Sequence, residues 1–280
     1  MPTTLKWLVP LVMLVSPLCT YGQTVLDKGQ VSFIELSFNN ANPSNPFWIV
    51  QIFDETNTQL YDPTYSSGLG RFVFDTSGGA RFRVAGPQHL YQRPLPTTWD
   101  FIGTGPNQPF RATPQNGDAA SRLIMGISTF SLPPGLFAND QININMSVAG
   151  ISNPGAFSLY TNNGAFNDAV GDPNIVNPLF STDLNLTGIT RSTGTGNFFN
   201  LGFSAPGIYD VDFQFEAERS IAEGGGIVTS GWYRYRFDVA LFAVPEPGTW
   251  ALLGLSVAVA GIAAWQIRRR KKIAHEQVLS

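Results

Sequence analysis

His89 and His275 are the only histidines in the chain, and His275 follows a basic run near the C-terminus. A zinc or copper site built on two or more histidines is therefore excluded from the rest of the protein. A Ser-His-Asp hydrolase would have to use His89, in GPQHLYQRP, yet no Gly-x-Ser-x-Gly elbow accompanies it. A loop histidine is the simpler reading. Paired carboxylates could run glycoside hydrolysis, one as acid and the other as base or nucleophile. Glu35, Glu55, Glu216, Glu218 and Glu223 qualify by type. Glu216 and Glu218 are two residues apart on the polar face of one predicted strand, where solvent accounts for them equally well.

Other residue types offer binding rather than catalysis. NNGAFNDAVGDPN, residues 162–174, carries Asp168, Asp172 and Asn174, oxygen ligands of the kind calcium takes. Their spacing is not that of an EF-hand, and Asn, Asp and Gly are also what a turn uses. Trp48, Trp99 and Trp232 could stack on sugar faces if exposed, or fill a core if not. The glycine-rich stretches EGGGIV and STGTGN lack the following helix and Gly-Lys-Ser/Thr that make a phosphate cradle. EGGG reads instead as a hairpin loop. No cofactor is implied.

The elements that must position these residues are strands. QININMSVAG, GIYDVDFQFEAE and WYRYRFDVALFAV alternate apolar and polar residues, the period of half-buried antiparallel strands. Shorter candidates are QVSFIELSF, PFWIVQIF, RFVF, ARFRVA, RLIMGIS, FSLYT and LNLTG, separated by turn clusters such as TSGG, SLPPG and TNNG. The pattern predicts an all-β fold, an antiparallel β-sandwich, over residues 23–243. No repeat or clear linker divides it, and a split into two smaller sandwiches near residues 105–120, around GPNQPFRATPQNGD, is the alternative.

Charge narrows the partners. Charged residues are only 13% of the chain. Six of the 17 basic and two of the 20 acidic residues lie outside 23–243, which leaves that stretch 11 against 18, or −7. Nucleic acid and anionic membrane surfaces are poor partners for such a body.

Both ends read as targeting segments. Residues 1–22 place Lys6 before the apolar WLVPLVMLVSPL and the small-residue approach Thr20-Tyr21-Gly22, the pattern of a secretory signal peptide. Leu18 before Cys19 is not the small residue that lipoprotein processing wants. Removing this segment removes the chain's 1 cysteine, so the mature protein has no disulfide or thiolate chemistry. At the other end, residues 248–267 hold no charge, and twenty residues at about 1.5 Å each span a bilayer core of about 30 Å. Arg268, Arg269, Arg270, Lys271 and Lys272 follow as a stop-transfer cluster that stays cytoplasmic. Ahead of the helix stand Val244, Pro245, Glu246 and Pro247, a short extended stretch that suits a protease.

Residues 244–280 resemble the PEP-CTERM sorting signal of exosortase-bearing Gram-negative bacteria, with motif, apolar helix and basic tail in order. The resemblance implies a membrane-anchored precursor, an exosortase-type protease as partner, and delivery to the cell surface or extracellular matrix. Much of 25–243 is similar to the choice-of-anchor M surface domain. The similarity rests on GFSAPGIYDVDFQFEAE together with DKGQVSFIELSF, PFWIVQIFDETNTQLYDP, WDFIGTG, LIMGIS and GAFSLYTNNG. Asn200, Phe203, Pro206, Gly207 and Tyr209 fit that pattern. Gln30 and GNFFNLGFSAPG stand where the family has histidines and a tryptophan, so any metal or ligand site relatives build on those residues is lost here.

The first functional expectation is a non-enzymatic exported surface or matrix protein. A carbohydrate- or ligand-binding module, with envelope polysaccharide as partner, is the second. An extracellular glycoside hydrolase is the third, and it requires two carboxylates facing one cleft.

Overall fold

The computed structural model describes residues 23–42, 44–74, 79–147, 153–164 and 168–240. The expected signal peptide, the sorting motif, the helix at 248–267 and the basic cluster at 268–272 lie outside the described residues. Among the described residues no helix is long and apolar enough to cross a membrane.

The chain is built from short strands. The first are β1 (Thr24–Leu26), β2 (Gly29–Asn39), β3 (Phe47–Asp54), β4 (Gln59–Tyr61), β5 (Thr64–Ser66) and β6 (Arg71–Val73). Next come β7 (Ala80–Val84), β8 (Leu90–Gln92), β9 (Pro109–Thr113), β10 (Leu123–Ser128), β11 (Gln141–Ser147) and β12 (Phe157–Asn162). The last are β13 (Val176–Ser181), β14 (Gly188–Ser192), β15 (Gly196–Phe203), β16 (Gly207–Glu218), β17 (Ile227–Thr229) and β18 (Tyr233–Val239). Short 3-10 turns at Pro87–His89, Thr97–Ile102, Ala138–Asp140 and Ile221–Glu223 join some of them.

These strands form two nine-stranded sheets. One runs β1-β7-β18-β16-β11-β14, with β17 beside β16, β6 beside β18 and β5 beside β6. The other runs β13-β12-β15-β10-β2-β3-β4, with β9 beside β15 and β8 beside β9. Their inner faces meet in an aromatic core. Phe33 of the second sheet packs edge-on against Phe82, Phe213, Tyr235 and Phe237 of the first, with ring centroids 6.4, 6.0, 5.8 and 6.4 Å away. Each such ring, fully buried, contributes roughly 1.5–3 kcal/mol of transfer free energy. Period-two alternation delivers them: β18 buries Tyr233, Tyr235, Phe237 and Val239 and leaves Arg234, Arg236 and Asp238 half-buried on its other face.

The all-β sandwich agrees with the sequence expectation, but the sheets are mixed rather than antiparallel. β1 pairs parallel to β7, β2 to β10, and both β6 and β7 to β18. Alternation reports which face of a strand is buried and not the direction of its neighbour. LNLTG is also corrected: residues 182–185 form a turn, Leu186 makes a single bridge to Ser181, and β14 begins only at Gly188.

A second apolar cluster sits on the back of the second sheet. Trp99, Phe101 and Ile102, carried by the Thr97–Ile102 turn, pack with Phe110 of β9 and Tyr160 of β12. Ser181 Oγ–H donates to the Phe101 carbonyl at 2.8 Å and ties that turn to β13. Residues 105–118 contain β9, and its Thr113, Ala112 and Arg111 pair with Leu201, Gly202 and Phe203 of β15.

One irregularity shapes the outer face of the second sheet. Ser32 and Glu35 of β2 stand opposite Phe53 and Gln51 of β3, so three steps on one strand match two on the other. The register against β10 slips at the same place. This β-bulge turns both Phe33 and Ile34 into the core and brings Ser32 and Glu35 onto the same outer face.

Candidate functional site

His89 ends the Pro87–His89 turn between β7 and β8, in a connection as the sequence suggests, and is buried there with no exposed surface. Its Nδ1–H donates to the Ala112 carbonyl at 3.0 Å, and Nε2 has no hydrogen-bond partner. Burial pushes its pKa down to about 4, opposed by the bond to Ala112 and reinforced by Arg122 and Arg111. The imidazole is thus neutral at pH 7 and packs the Pro87–His89 turn against β9.

Glu216 is half-buried and Oε2 accepts from Thr229 Oγ1 at 3.2 Å, while Glu218 is exposed. Glu223 Oε2 accepts from Asn40 Nδ2. Asp212 shares the polar face of β16 but is not open to solvent: only 1% of its side chain is exposed, under Arg71 and Arg234. Asp210 is gripped by Arg236 in the same manner, Nε to Oδ1 at 2.8 Å and Nη2 to Oδ2 at 2.9 Å. An Asp–Arg ladder therefore covers the outside of the first sheet.

Trp48 and Trp99 are both buried. Trp48 stacks on Phe137 with centroids 5.3 Å apart, and its Nε1–H donates to the Val228 carbonyl at 3.3 Å. Trp99 Nε1–H donates to the Pro173 carbonyl at 2.8 Å. Neither presents a free face to a sugar. Trp232 is half-buried, and its carbonyl accepts from the Phe72 amide at 2.8 Å.

In the 162–174 loop, Asp168 Oδ1 accepts from the Val170 amide at 2.8 Å, and Asp172 Oδ1 from the Asn174 amide at 2.9 Å. These are Asx turns, in which the side chain caps its own backbone. Among the described residues no group of three or more His, Cys, Asp or Glu side chains is placed to hold a metal.

Two other candidates do come together. Glu35 and Glu55 line one cleft on the outer face of the second sheet with Ser32, Phe53, Ser128 and Phe130, enclosing about 330 Å³. Ser128 stands beside Glu35 in parallel register, and Phe53 beside Ser32. The Glu55 amide bonds the Gln30 carbonyl at 2.9 Å, which fixes that residue just past the end of β3. Ser32 Oγ–H donates to Glu55 Oε1 at 2.8 Å and Ser131 Oγ–H to Glu35 Oε1 at 3.4 Å. Burial raises the Glu35 carboxyl above its ordinary value, against hydrogen bonds from Ser128 and Ser131, with the Glu55 charge adding to the rise.

Phe130 is 69% exposed at the mouth of this cleft, and its ring lies against Gly196, where any added Cβ would strike it. The grouping was invisible in sequence. Ser32 and Glu35 are three residues apart, so a regular strand would send them to opposite faces, and only the bulge unites them.

Two of the residues that carry the surface-domain resemblance have structural work. Asn200 is buried and donates from Nδ2 to Gln115 Oε1 at 3.1 Å and Asn162 Oδ1 at 3.0 Å. Tyr209 Oη–H donates to the Ala205 carbonyl at 2.8 Å, closing the turn between β15 and β16.

Comparison with known families identifies the C-terminal segment. Residues 243–270 match the PEP-CTERM protein-sorting motif. The chain thus carries the tag of exported precursors that associate with the membrane and are processed by an exosortase. No curated protein matches the chain.

Proposed function

We propose that residues 23–243 form a non-enzymatic surface or extracellular-matrix protein, released from a membrane-held precursor by cleavage near Val244–Pro247. One observation carries this reading: the sorting motif matches from residue 243, and β18, the last described strand, ends at Val239. Removing everything after the motif would take no described strand from either sheet. Among the described residues, Glu35 and Glu55 are the one acid pair that shares a cleft, the arrangement a glycoside hydrolase requires. Loss of turnover on envelope polysaccharide in Glu35→Gln or Glu55→Gln would overturn the non-enzymatic part. The other acid and base candidates support it. His89 is neutral and packed, Asp210 and Asp212 are committed to arginines, and Glu216 is held by Thr229.

The test is mass spectrometry of the mature C-terminus from envelope and medium fractions of the native host. A terminus near Pro245–Pro247 supports sorting with release or transfer to the surface. An intact terminus at Ser280 in membranes would mean a permanent anchor, and the sorting reading would fall.

A further inference from the structure

We propose that the cleft between β2, β3 and β10 binds a hexose unit of a neutral polysaccharide. The sugar's C–H face rests on Phe130, and its hydroxyls donate to Glu35 and Glu55. This inference stands on the cleft alone and does not depend on the sorting reading.

The cleft has the size and the chemistry for such a unit. At about 330 Å³ it lies at the lower end of small-ligand pockets, which run about 300–1,000 Å³. An ionised carboxylate has about four acceptor positions. Ser32 takes one on Glu55, and Ser128 and Ser131 take two on Glu35. The serine hydroxyls are spent as donors, so the ligand must bring its own donors to the remaining lone pairs. Sugar hydroxyls do this while offering an apolar face to an aromatic ring.

Charge chooses among ligands. Two carboxylates in one cleft repel an anion. A metal cation is poorly served, because Ser32 and Ser131 already engage one oxygen of each carboxylate and among the described residues no third His, Cys, Asp or Glu joins the two acids. The lone pairs that the serines leave open match hydroxyl groups instead.

The aromatic rings are also set in advance. Phe130 lies on Gly196, and Phe198 of β15 lies on Gly126 of β10, where an added Cβ would come within 2.8 Å of the ring. Gly196 pairs with Ser128 and Gly126 with Phe198, so the two rings occupy neighbouring rows of one face. Rows two residues apart are separated by about 7 Å along a strand. A second ring next to the first favours a polymer over a free monosaccharide. Rings seated on glycine lose little freedom on binding.

The experiment is native affinity electrophoresis of the full-length chain in detergent, through gels containing dextran, laminarin or galactomannan. Retardation by at least one of these polymers is expected. Phe130→Ala and Glu55→Gln should each weaken it at least tenfold, and Phe47→Ala, at an exposed ring lining a different cleft, should leave it unchanged. If Phe130→Ala fails to fold by circular dichroism, the near-isosteric Glu55→Gln decides. No retardation in any of the three gels would overturn the proposal. So would retardation that both cleft variants retain, or competition by hexylamine or calcium chloride, which would mark a cation site.

Discussion

Arg234 closes on Asp212 with both arms of its guanidinium: Nε donates to Oδ1 at 2.8 Å and Nη2 to Oδ2 at 3.0 Å. The two residues face each other directly between β16 and β18. Arg71, from β6, donates to the same carboxylate. This carboxylate is the point where a parallel neighbour, β6, and an antiparallel pair, β16 and β18, are joined by charge.

Asp212→Ala is therefore expected to cost about 3 kcal/mol, at the lower end for a broken buried pair, because Arg71 loses its carboxylate and Arg234 keeps only the longer contact to Asp210 at 3.8 Å. Arg71→Ala should cost about 1 kcal/mol or less, since that side chain is 26% exposed and Arg234 still satisfies the acid. Urea midpoints for the two variants check the order. Equal losses would mean that water already solvates the carboxylate.

Strands such as β11, β16 and β18 were legible in sequence because each alternates without a fault against one core. Their partners were not. β6 and β7 pair parallel to a strand about 150 residues further along the chain, and nothing local records such a pairing. β15 escaped because Phe198 and Phe199 are adjacent and Asn200 is buried, so no run of alternation announces it. β9 was hidden in a stretch rich in Pro, Gly and Asn, where no alternation stands out.

The cleft was legible only as residue types. Glu35 and Glu55 qualified as acids, but their meeting depends on a one-residue bulge that periodicity cannot show. The tryptophans failed as markers for the opposite reason. Trp48 and Trp99 are large enough to be worth most in the core, and each has a backbone carbonyl there for its indole N–H.

His89 should make stability depend on pH below neutrality. Its folded pKa is lowered to about 4 from 6.5, so between those values the unfolded chain binds the proton more readily. Stability then falls as pH drops from about 6.5 to about 4, by up to roughly 3 kcal/mol at about 1.4 kcal/mol per unit. Unfolding midpoints of wild type and His89→Gln across this window isolate the effect. The difference in stability between the two proteins should change through the window and level off above pH 7. A constant difference would show that the imidazole is not desolvated in the fold.

Glu35 carries the opposite sign. Its folded pKa is raised, chiefly by burial, so its favourable contribution is fully present only below the unfolded value and is lost as pH rises. At pH 7 the ionised carboxyl is a net cost to the fold. Glu35→Gln, which mimics the neutral acid, should unfold at a higher urea concentration than wild type at pH 7. The gap should close as the pH approaches 4. A variant less stable than wild type at neutral pH would mean that the serine hydrogen bonds outweigh burial.

Glu246 allows sorting to be separated from folding. It stands between Pro245 and Pro247 inside the matched motif, where two fixed φ angles favour an extended chain over a helix. Such a segment suits a protease that must take the backbone in extended form. Glu246→Ala keeps the prolines and removes only the charge between them. In the native host it is expected to lower the ratio of processed to full-length protein at least tenfold, read on immunoblots of membrane and surface fractions. The urea midpoint should not move, because the substitution lies beyond the end of β18 at Val239. Loss of processing with an unchanged midpoint assigns the residue to recognition. A lowered midpoint would instead mean that the segment packs on the sandwich, and cleavage there would cost the mature protein stability.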